Sequence, residues 1–388
     1  MLHFIALLLE IVAGGLALCS LAYYGMCLWC ARQFLREQAL SAEPGASTQS
    51  LPALSILKPV KGVGPETYDC LRSHCLQDYP EYEMIFGIHD PSDPAADVVR
   101  RLQSEYPQRP IRLVICRRDL GTNIKVSNLA QMLPEAIYDC LLVNDGDICV
   151  GPDYLRSVAS PLRDNGVGLV TCLYRAMPAS TLGSRLEWLG ISTDFAPGVL
   201  VARHLEGMRF ALGSTLAFRR RDLLAIGGFE TILDHLADDY ELGSRIASLG
   251  LEVRLSGNVV ETFLPAYTPP EFWNHQLRWA RTIRDVRRWG YLGLAFTFGF
   301  PWALLALLAS AGAVWAWILL VAVMATRAAV ALAVGREVLH DRHLGRSLWL
   351  LPLRDCVGLL VWIVSFAGHR VVWHGHDFRL KNGKLVRV

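Results

Sequence analysis

Two long apolar blocks enclose a polar stretch rich in acidic motifs, and this restricts the chain to folds in which a water-soluble unit hangs between membrane segments. From Phe4 to Trp29 the only charged residue is Glu10, and from Leu292 to Val334 the only one is Arg327. About twenty apolar residues cross a bilayer as a helix. Residues 4–30 therefore read as a transmembrane anchor, and residues 292–334, about twice that length, as a helical hairpin turning near Ser310 to Gly312. With 388 residues, 52% of them hydrophobic, the chain is too apolar for an ordinary soluble enzyme and too polar to be embedded throughout.

Arg32 and Arg36 come directly after the first block. A secretory signal peptide carries its basic residues before its apolar core, so this segment reads as a retained anchor. The positive-inside rule then places the residues after Arg32 in the cytoplasm. A third run, Leu348 to Phe366, is interrupted by Pro352, Arg354 and Asp355. A charge at mid-bilayer costs roughly 2.5 to 3.5 kcal/mol on insertion scales. Unless Arg354 and Asp355 pair with each other or face the active site, residues 347–388 read as an interfacial or re-entrant segment. The tail beyond this run, with Arg370, Arg379, Lys381, Lys384 and Arg387, is basic and reads as cytoplasmic.

Residues 31–52 read as a linker, Ser-, Ala-, Gly- and Pro-rich from Gln38 onward. Residues 53–268 alternate short apolar runs with amphipathic stretches, the pattern of an α/β domain. Strands are expected at Leu54–Leu57, Glu83–His89, Ile111–Cys116, Tyr138–Asn144 and Val167–Leu173, with helices such as Ala95–Tyr106 and Ser127–Ala136. The ten cysteines are scattered, and Cys27 and Cys30 have no second pair to complete a zinc site, so they read as packing residues. A net charge of +2 gives no reason to expect a nucleic-acid partner.

Asp90 ends the second expected strand and Asp145 the fourth. Ligands of open α/β sheets bind outside the carboxyl ends of strands, so both acids are expected at one crevice, although an Asp in a turn or at a helix start also has a purely local role. In Asp145-Gly146-Asp147, hard carboxylate oxygens suit Mg²⁺ or Mn²⁺. Such an ion offsets charge that grows on a nucleotide diphosphate as a glycosidic bond breaks. Asp147 is assigned to the metal and Asp145 to the ribose or the metal. Asp239, at the start of the helical pattern Tyr240–Leu249, is a candidate general base; Asp238 or Asp239 could instead cap that helix. Residues 269–291 read as an amphipathic interfacial helix with Trp273, Leu277, Ala280, Ile283 and Val286 on one stripe and Arg278, Arg281, Arg284 and Arg288 on the other. Arg278 with Trp279 has a second possible role in gripping the diphosphate and stacking on sugar or acceptor.

These motifs together resemble the membrane-bound family 2 and family 21 glycosyltransferases with a GT-A (Rossmann-like) domain, and the likeness to ceramide glucosyltransferases is close. It rests on Lys58-Pro59-Val60-Lys61-Gly62, Asp90-Pro91-Ser92-Asp93-Pro94-Ala95, Gly121-Thr122-Asn123 with Lys125 and Asn128, Asp145, Asp238-Asp239-Tyr240 and Arg278-Trp279, in that order. Asn123–Leu129, Val170–Arg175 and Pro352–Asp355 look more like a bacterial hopanoid-associated branch. The resemblance implies a UDP-sugar donor with Asp90 on the uracil, Lys125 and Asn128 on the nucleotide, and Asp145 and Asp147 on diphosphate and metal. It makes Asp239 the base and Arg278-Trp279 the end of the final motif, whose usual first Gln or Arg is here His275, with Gln276 beside it. It further implies a membrane-lipid acceptor, hopanoid (bacteriohopanetetrol) or ceramide, and a bacterial inner membrane as the site of action.

Overall fold

The runs read as strands assemble into one sheet in the computed structural model, which describes residues 2–41, 51–373 and 376–387. β1 (Leu54–Pro59), β2 (Tyr82–Ile88), β3 (Ile111–Ile115) and β4 (Cys140–Val143) lie where expected; β5 (Ile148–Cys149) comes after the Asp145-Gly146-Asp147 turn. β6 (Val167–Met177) is longer than expected, and β7 (Leu216–Arg219) and β8 (Glu252–Phe263) complete an eight-stranded sheet in the order β3-β2-β1-β4-β7-β6-β8-β5. β1 pairs in parallel with both β2 and β4. The chain thus leaves β1 on one side and returns on the other, and the crevice at this switch opens beyond Pro59 and Val143. Neither β7 nor β8 stands out in the sequence: β7 has only four residues, and Ser256, Gly257 and Asn258 break the apolar pattern of β8 where its register with β6 shifts.

The first apolar block is a single helix, Leu2–Ser41, of 40 residues. At 1.5 Å per residue this is about 60 Å, roughly twice the hydrocarbon thickness. Residues 31–41, expected as linker, are therefore its last three turns; residues 42–50 lie outside the described residues. The reason is packing. Tyr24, Cys27, Cys30, Ala31 and Phe34 join the same buried cluster as Leu57, Val143 and Phe218 of the sheet, and Glu37 pairs with Arg203 at 2.6 Å. Cys27 and Cys30 are buried free thiols, in keeping with a packing role.

Against this helix lie Gly299–Ala309 and Val314–Val330, the latter continuing as a π-helix to Val338. The turn between them falls where expected, with Ala311 and Gly312 at φ of 49° and 83°. Tyr24 Oη donates to Thr297 O at 2.8 Å and accepts from Gly299 N at 3.1 Å, which anchors the 52° bend between Arg288–Thr297 and Gly299–Ala309. His3–Leu40, Val314–Val338 and Leu344–Ser365 are each long and apolar enough to cross a membrane.

Arg354 and Asp355 do not pair with each other. Asp355 accepts from Arg327 at 2.8 Å, and Arg354 donates to Asp194 at 2.9 Å and to Gln276 at 2.9 Å, while Arg327 also binds Asp194 and the Thr193 carbonyl. Two guanidinium and two carboxylate groups thus balance one another against the sheet domain, which is how an apolar helix carries them.

The segment expected as a basic tail folds into β9 (Arg370–Trp373), β10 (His376–Lys381) and β11 (Lys384–Arg387), an antiparallel sheet. It docks onto the stretch leading to Asp238: Leu385 N donates to Asp234 O at 2.7 Å and Leu236 N to Gly383 O at 3.2 Å.

Candidate active site

β4 leads into Asn144, Asp145 and the turn to Asp147, and there acids from two distant segments, Asp145 and the adjacent Asp238 and Asp239, gather around one lysine. Lys125 Nζ lies 2.8 Å from Asp145 Oδ1 and 2.9 Å from Asp238 Oδ2. Lys125 projects from the helix Ile124–Met132, whose start is capped by Asn123 Oδ1 accepting from Val126 N. Burial opposes its charge, but Asp145, Asp238 and Asp239 outweigh that and hold its pKa well above the ordinary lysine value.

Asp239 Oδ2 accepts from Gly213 N at 2.7 Å and its Oδ1 from Tyr240 N at 2.8 Å. Ala237, not an aspartate, is the N-cap of the helix Asp238–Ser248, and no side-chain cap bond forms there. The capping alternative gives way to ion pairing for Asp238 and a loop contact for Asp239. Burial, and after it the like charge of Asp238, pushes the Asp239 carboxyl up to about 6 against the pull of Lys125. It is then ionised at neutral pH but basic enough to accept a proton from a hydroxyl in a transition state.

Gly213 brings the acids together. A Cβ at this position would sit 3.2 Å from Asp145 Oδ2 and 3.3 Å from Asp239 Oδ2. Gly213→Ala is expected to lower turnover about tenfold or more, because misplacing a catalytic group by a fraction of an ångström is costly. A circular-dichroism melt should change little; unaltered turnover would show that the close approach has no catalytic use.

Asp147 Oδ2 accepts from Thr262 Oγ1 at 2.7 Å, a contact set by β5 pairing with β8. Burial and then Asp145 raise its carboxyl above the usual range. Two carboxylates that repel each other in this way fit a hard divalent cation. Among the described residues no group of three or more His, Cys, Asp or Glu side chains is arranged for a metal. The pair thus suits an ion that takes its remaining ligands from phosphate oxygens and water, as Mg²⁺ commonly does.

Lys58 belongs to the first motif of the family resemblance, and the sequence assigns it no role. It is fully buried at the end of β1, donating to Asn144 Oδ1 and Asp145 O, both at 2.8 Å. Burial drives its pKa down to about 8, with Asp147 the largest opposing influence. A lysine inside an apolar strand is the signal that could have found it, since lysine is almost never fully buried unless it is paired.

Arg278 and Trp279 lie on the helix Pro269–Val286, which the capping box of Thr268 and Glu271 starts and which breaks at Arg287. Arg278 Nη2 is 3.2 Å from His275 Nδ1, and His275 Nε2 is 2.9 Å from Glu187 Oε1 without hydrogen-bond alignment. Glu187 is buried and its Oε2 has no partner among the described residues; sequence reasoning missed this acid in an apolar helix. Trp279 packs on Phe195 and His275 with ring centroids 6.0 and 5.6 Å apart. Gln276 turns away from the acids and accepts from Arg354. Of the other arginines expected on the basic face, Arg281 and Arg284 make internal contacts with main-chain carbonyls of residues 365–370, and Arg288 falls past the end of this helix, at the start of the helix Arg288–Gly293.

Asp90 stands two strands from Asp145, exposed at the crevice rim. Its Oδ1 accepts from Ser92 N at 2.8 Å and Ser92 Oγ at 2.7 Å, so it does perform the local turn role. Among the described residues it shares no hydrogen bond or ion pair with the Lys125 cluster. Asn128 is buried one turn beyond Lys125, and its Oδ1 lacks a partner among the described residues.

Comparison with known proteins identifies the fold and the family. Ceramide glucosyltransferase 1 of Caenorhabditis elegans is 25% identical over 233 residues, covering 60% of this chain and 50% of that protein. The ceramide glucosyltransferase of Komagataella phaffii is 32% identical over 154 residues, 37% of this chain and 29% of that one. The chain spans about half the length, or less, of these relatives. A mannosyltransferase from Pyrobaculum calidifontis, solved with GDP-Man and Mn²⁺, superposes with a TM-score of 0.54 at 19% identity, covering 94% of this chain and 99% of that one, which shows a shared fold. The sequence pattern of glycosyl transferase family 21 matches residues 12–386, and the chain belongs to that family.

Proposed function

We propose that this chain moves a sugar, N-acetylglucosamine or glucose, from a UDP-sugar to the hydroxyl of a membrane lipid with inversion, and that the lipid is a hopanoid such as bacteriohopanetetrol. The observation that carries this reading is the convergence of Asp145, Asp238 and Asp239 on Lys125 beside Asp147. Asp239 takes the proton of the acceptor hydroxyl as that oxygen attacks the anomeric carbon and the bond to UDP breaks. Lys125 and Arg278 hold the diphosphate, Asn128 and Asp90 contact the nucleotide, and Trp279 closes the sugar pocket, with His275 and Gln276 ordering their helix. Asp145 and Asp147 would hold Mg²⁺ or Mn²⁺, which would supply positive charge against that growing on the leaving diphosphate. Positioning and fixed charge supply most of the rate.

A lipid acceptor fits the joints between site and apolar helices. Gln276 of the Arg278 helix is tied through Arg354 to the helix Leu351–Ser365. Both ends of that terminal segment meet the sheet domain or the Arg278 helix: Asp341, just before it, accepts from Trp188 at 2.6 Å, and Arg284 holds the Ser365 carbonyl. Ends held on one side support an interfacial or re-entrant helix, with the catalytic domain on the cytoplasmic face of a bacterial inner membrane. The names of the relatives favour a second reading, glucose transfer to ceramide.

Purified protein with Mn²⁺ or Mg²⁺, UDP-glucose or UDP-N-acetylglucosamine, and bacteriohopanetetrol or ceramide distinguishes these, with the lipid product identified by mass. A hexosamine on the hopanoid supports the reading, whereas a hexose on ceramide replaces the acceptor and sugar. No UDP release with any lipid would mark a catalytically silent scaffold. Chelation by EDTA is expected to abolish transfer and added Mn²⁺ or Mg²⁺ to restore it; full activity in EDTA would remove the metal from Asp145 and Asp147.

A further inference from the structure

Arg281, Ala367, Gly368, His369, Arg370 and Arg379 line a cavity of about 510 Å³ between the Arg278 helix and the C-terminal sheet, and none of the acidic cluster is among its lining residues. Its three arginines have no ion-pair partner: among the described residues no carboxylate lies within ion-pair distance of Arg281, Arg370 or Arg379. Arg370 and Arg379 are also directly opposite each other across β9 and β10. Like charges in that position destabilise a sheet, and an anion between them reverses the sign. Arg281 is held at its two outer nitrogens by the carbonyls of Arg370 and Ala367. Its Nε, however, is buried with no partner among the described residues. Burial and the like charge of Arg284 also lower its pKa from the usual arginine value.

The surroundings indicate where the anion comes from. The cavity lies where the apolar helix Leu351–Ser365 ends, and Phe366 and Val372 beside it remain 42% and 48% exposed. Basic side chains at the end of an apolar helix, rimmed by aromatic and aliphatic residues, are complementary to a phosphate that carries acyl chains. We infer that the cavity formed by Arg281, Arg370 and Arg379 binds the phosphate headgroup of an anionic phospholipid, a site separate from those for sugar donor and acceptor.

The test uses native mass spectrometry of the full-length protein in detergent micelles containing phosphatidylglycerol or phosphatidylcholine. The wild type is expected to retain phosphatidylglycerol preferentially. Arg370→Gln with Arg379→Gln should weaken that retention roughly thirty-fold, the equivalent of about 1 kcal/mol for each basic group near the surface. Arg370→Lys with Arg379→Lys should keep most of it. UDP binding, unchanged in both double variants, reports that the fold is intact. Equal retention of the two lipids by the wild type overturns the inference whatever the variants do, as does an undiminished preference in the Gln variant. Inorganic phosphate that raises the Tm as far as phosphatidylglycerol does, at the same concentration, would make this a site for a soluble anion and overturn the lipid assignment.

Discussion

Asp239→Asn is expected to cut turnover at least about a hundredfold, the low end of what a positioned general base supplies, while UDP binding stays within a few-fold of wild type. The two consequences separate because the amide cannot accept the hydroxyl proton but keeps the size of the carboxylate beside Gly213. Transfer monitored by UDP release, with UDP affinity from calorimetry, checks both; undiminished turnover would remove Asp239 from the role of base. The pH dependence arises from the same carboxyl, raised to about 6 by burial and Asp238. Below that value the base is protonated, so turnover should fall about tenfold per unit as pH drops, and above it the acid limb should level off. A cation at Asp145 and Asp147 moves the limb lower by offsetting Asp145. The stability sign is the reverse of that for a salt-bridged aspartate. A carboxyl whose folded pKa exceeds its unfolded value costs stability once pH rises through that window, from about 4 to 6. The amide can accept from only one of Gly213 N and Tyr240 N, so Asp239→Asn loses one buried hydrogen bond, and its melting temperature relative to wild type should rise as pH goes from about 4 to 7.

Arg327→Met is expected to destabilise the protein by about 3–5 kcal/mol, the cost of leaving buried carboxylates without their cation. Arg327 is 2% exposed and Asp355 4%, and they lie 28 residues apart in sequence. Asp194, more open to solvent, keeps Arg354 as a partner, so most of the penalty falls on Asp355. Adding Asp355→Leu should recover a large part of the loss, because replacing a buried ion pair with apolar residues of similar volume is often close to neutral. Thermal unfolding in detergent measures both steps. A single variant as stable as wild type, or a double variant no better than the single, would show that Arg327 and Asp355 are not coupled. Since Arg354 carries the network on to Gln276, the single variant should also slow transfer.

Much of the architecture was legible in the sequence. The strands β1 to β4 and the helix after Asp239 are marked by apolar runs and periodicity, and these depend on neighbours within a few residues. The hairpin turn at Ala311 and Gly312 was legible for the same reason. The anchor was misjudged at its inner end, because Arg32, Arg36 and a polar composition suggested a linker while packing of Phe34 against the sheet domain kept the helix intact to Ser41. The strands within the basic tail were not anticipated, because they are only four to six residues long and one face is charged.

The sequence alone determined that an α/β sheet sits between membrane-length helices and that Asp145, Asp147 and Asp239 occur at element ends. Local pattern settles such matters, since side-chain direction repeats with the period of the element. Only the tertiary structure decided which charges meet. Lys125 gathers Asp145 and Asp238 from segments 20 and 113 residues away, Gly213 lets two acids approach one stretch of backbone, and Arg327 reaches Asp194 and Asp355. An ion pair is worth forming only at a few ångströms and where water has been excluded, and both conditions arise from the folded arrangement rather than from spacing along the chain.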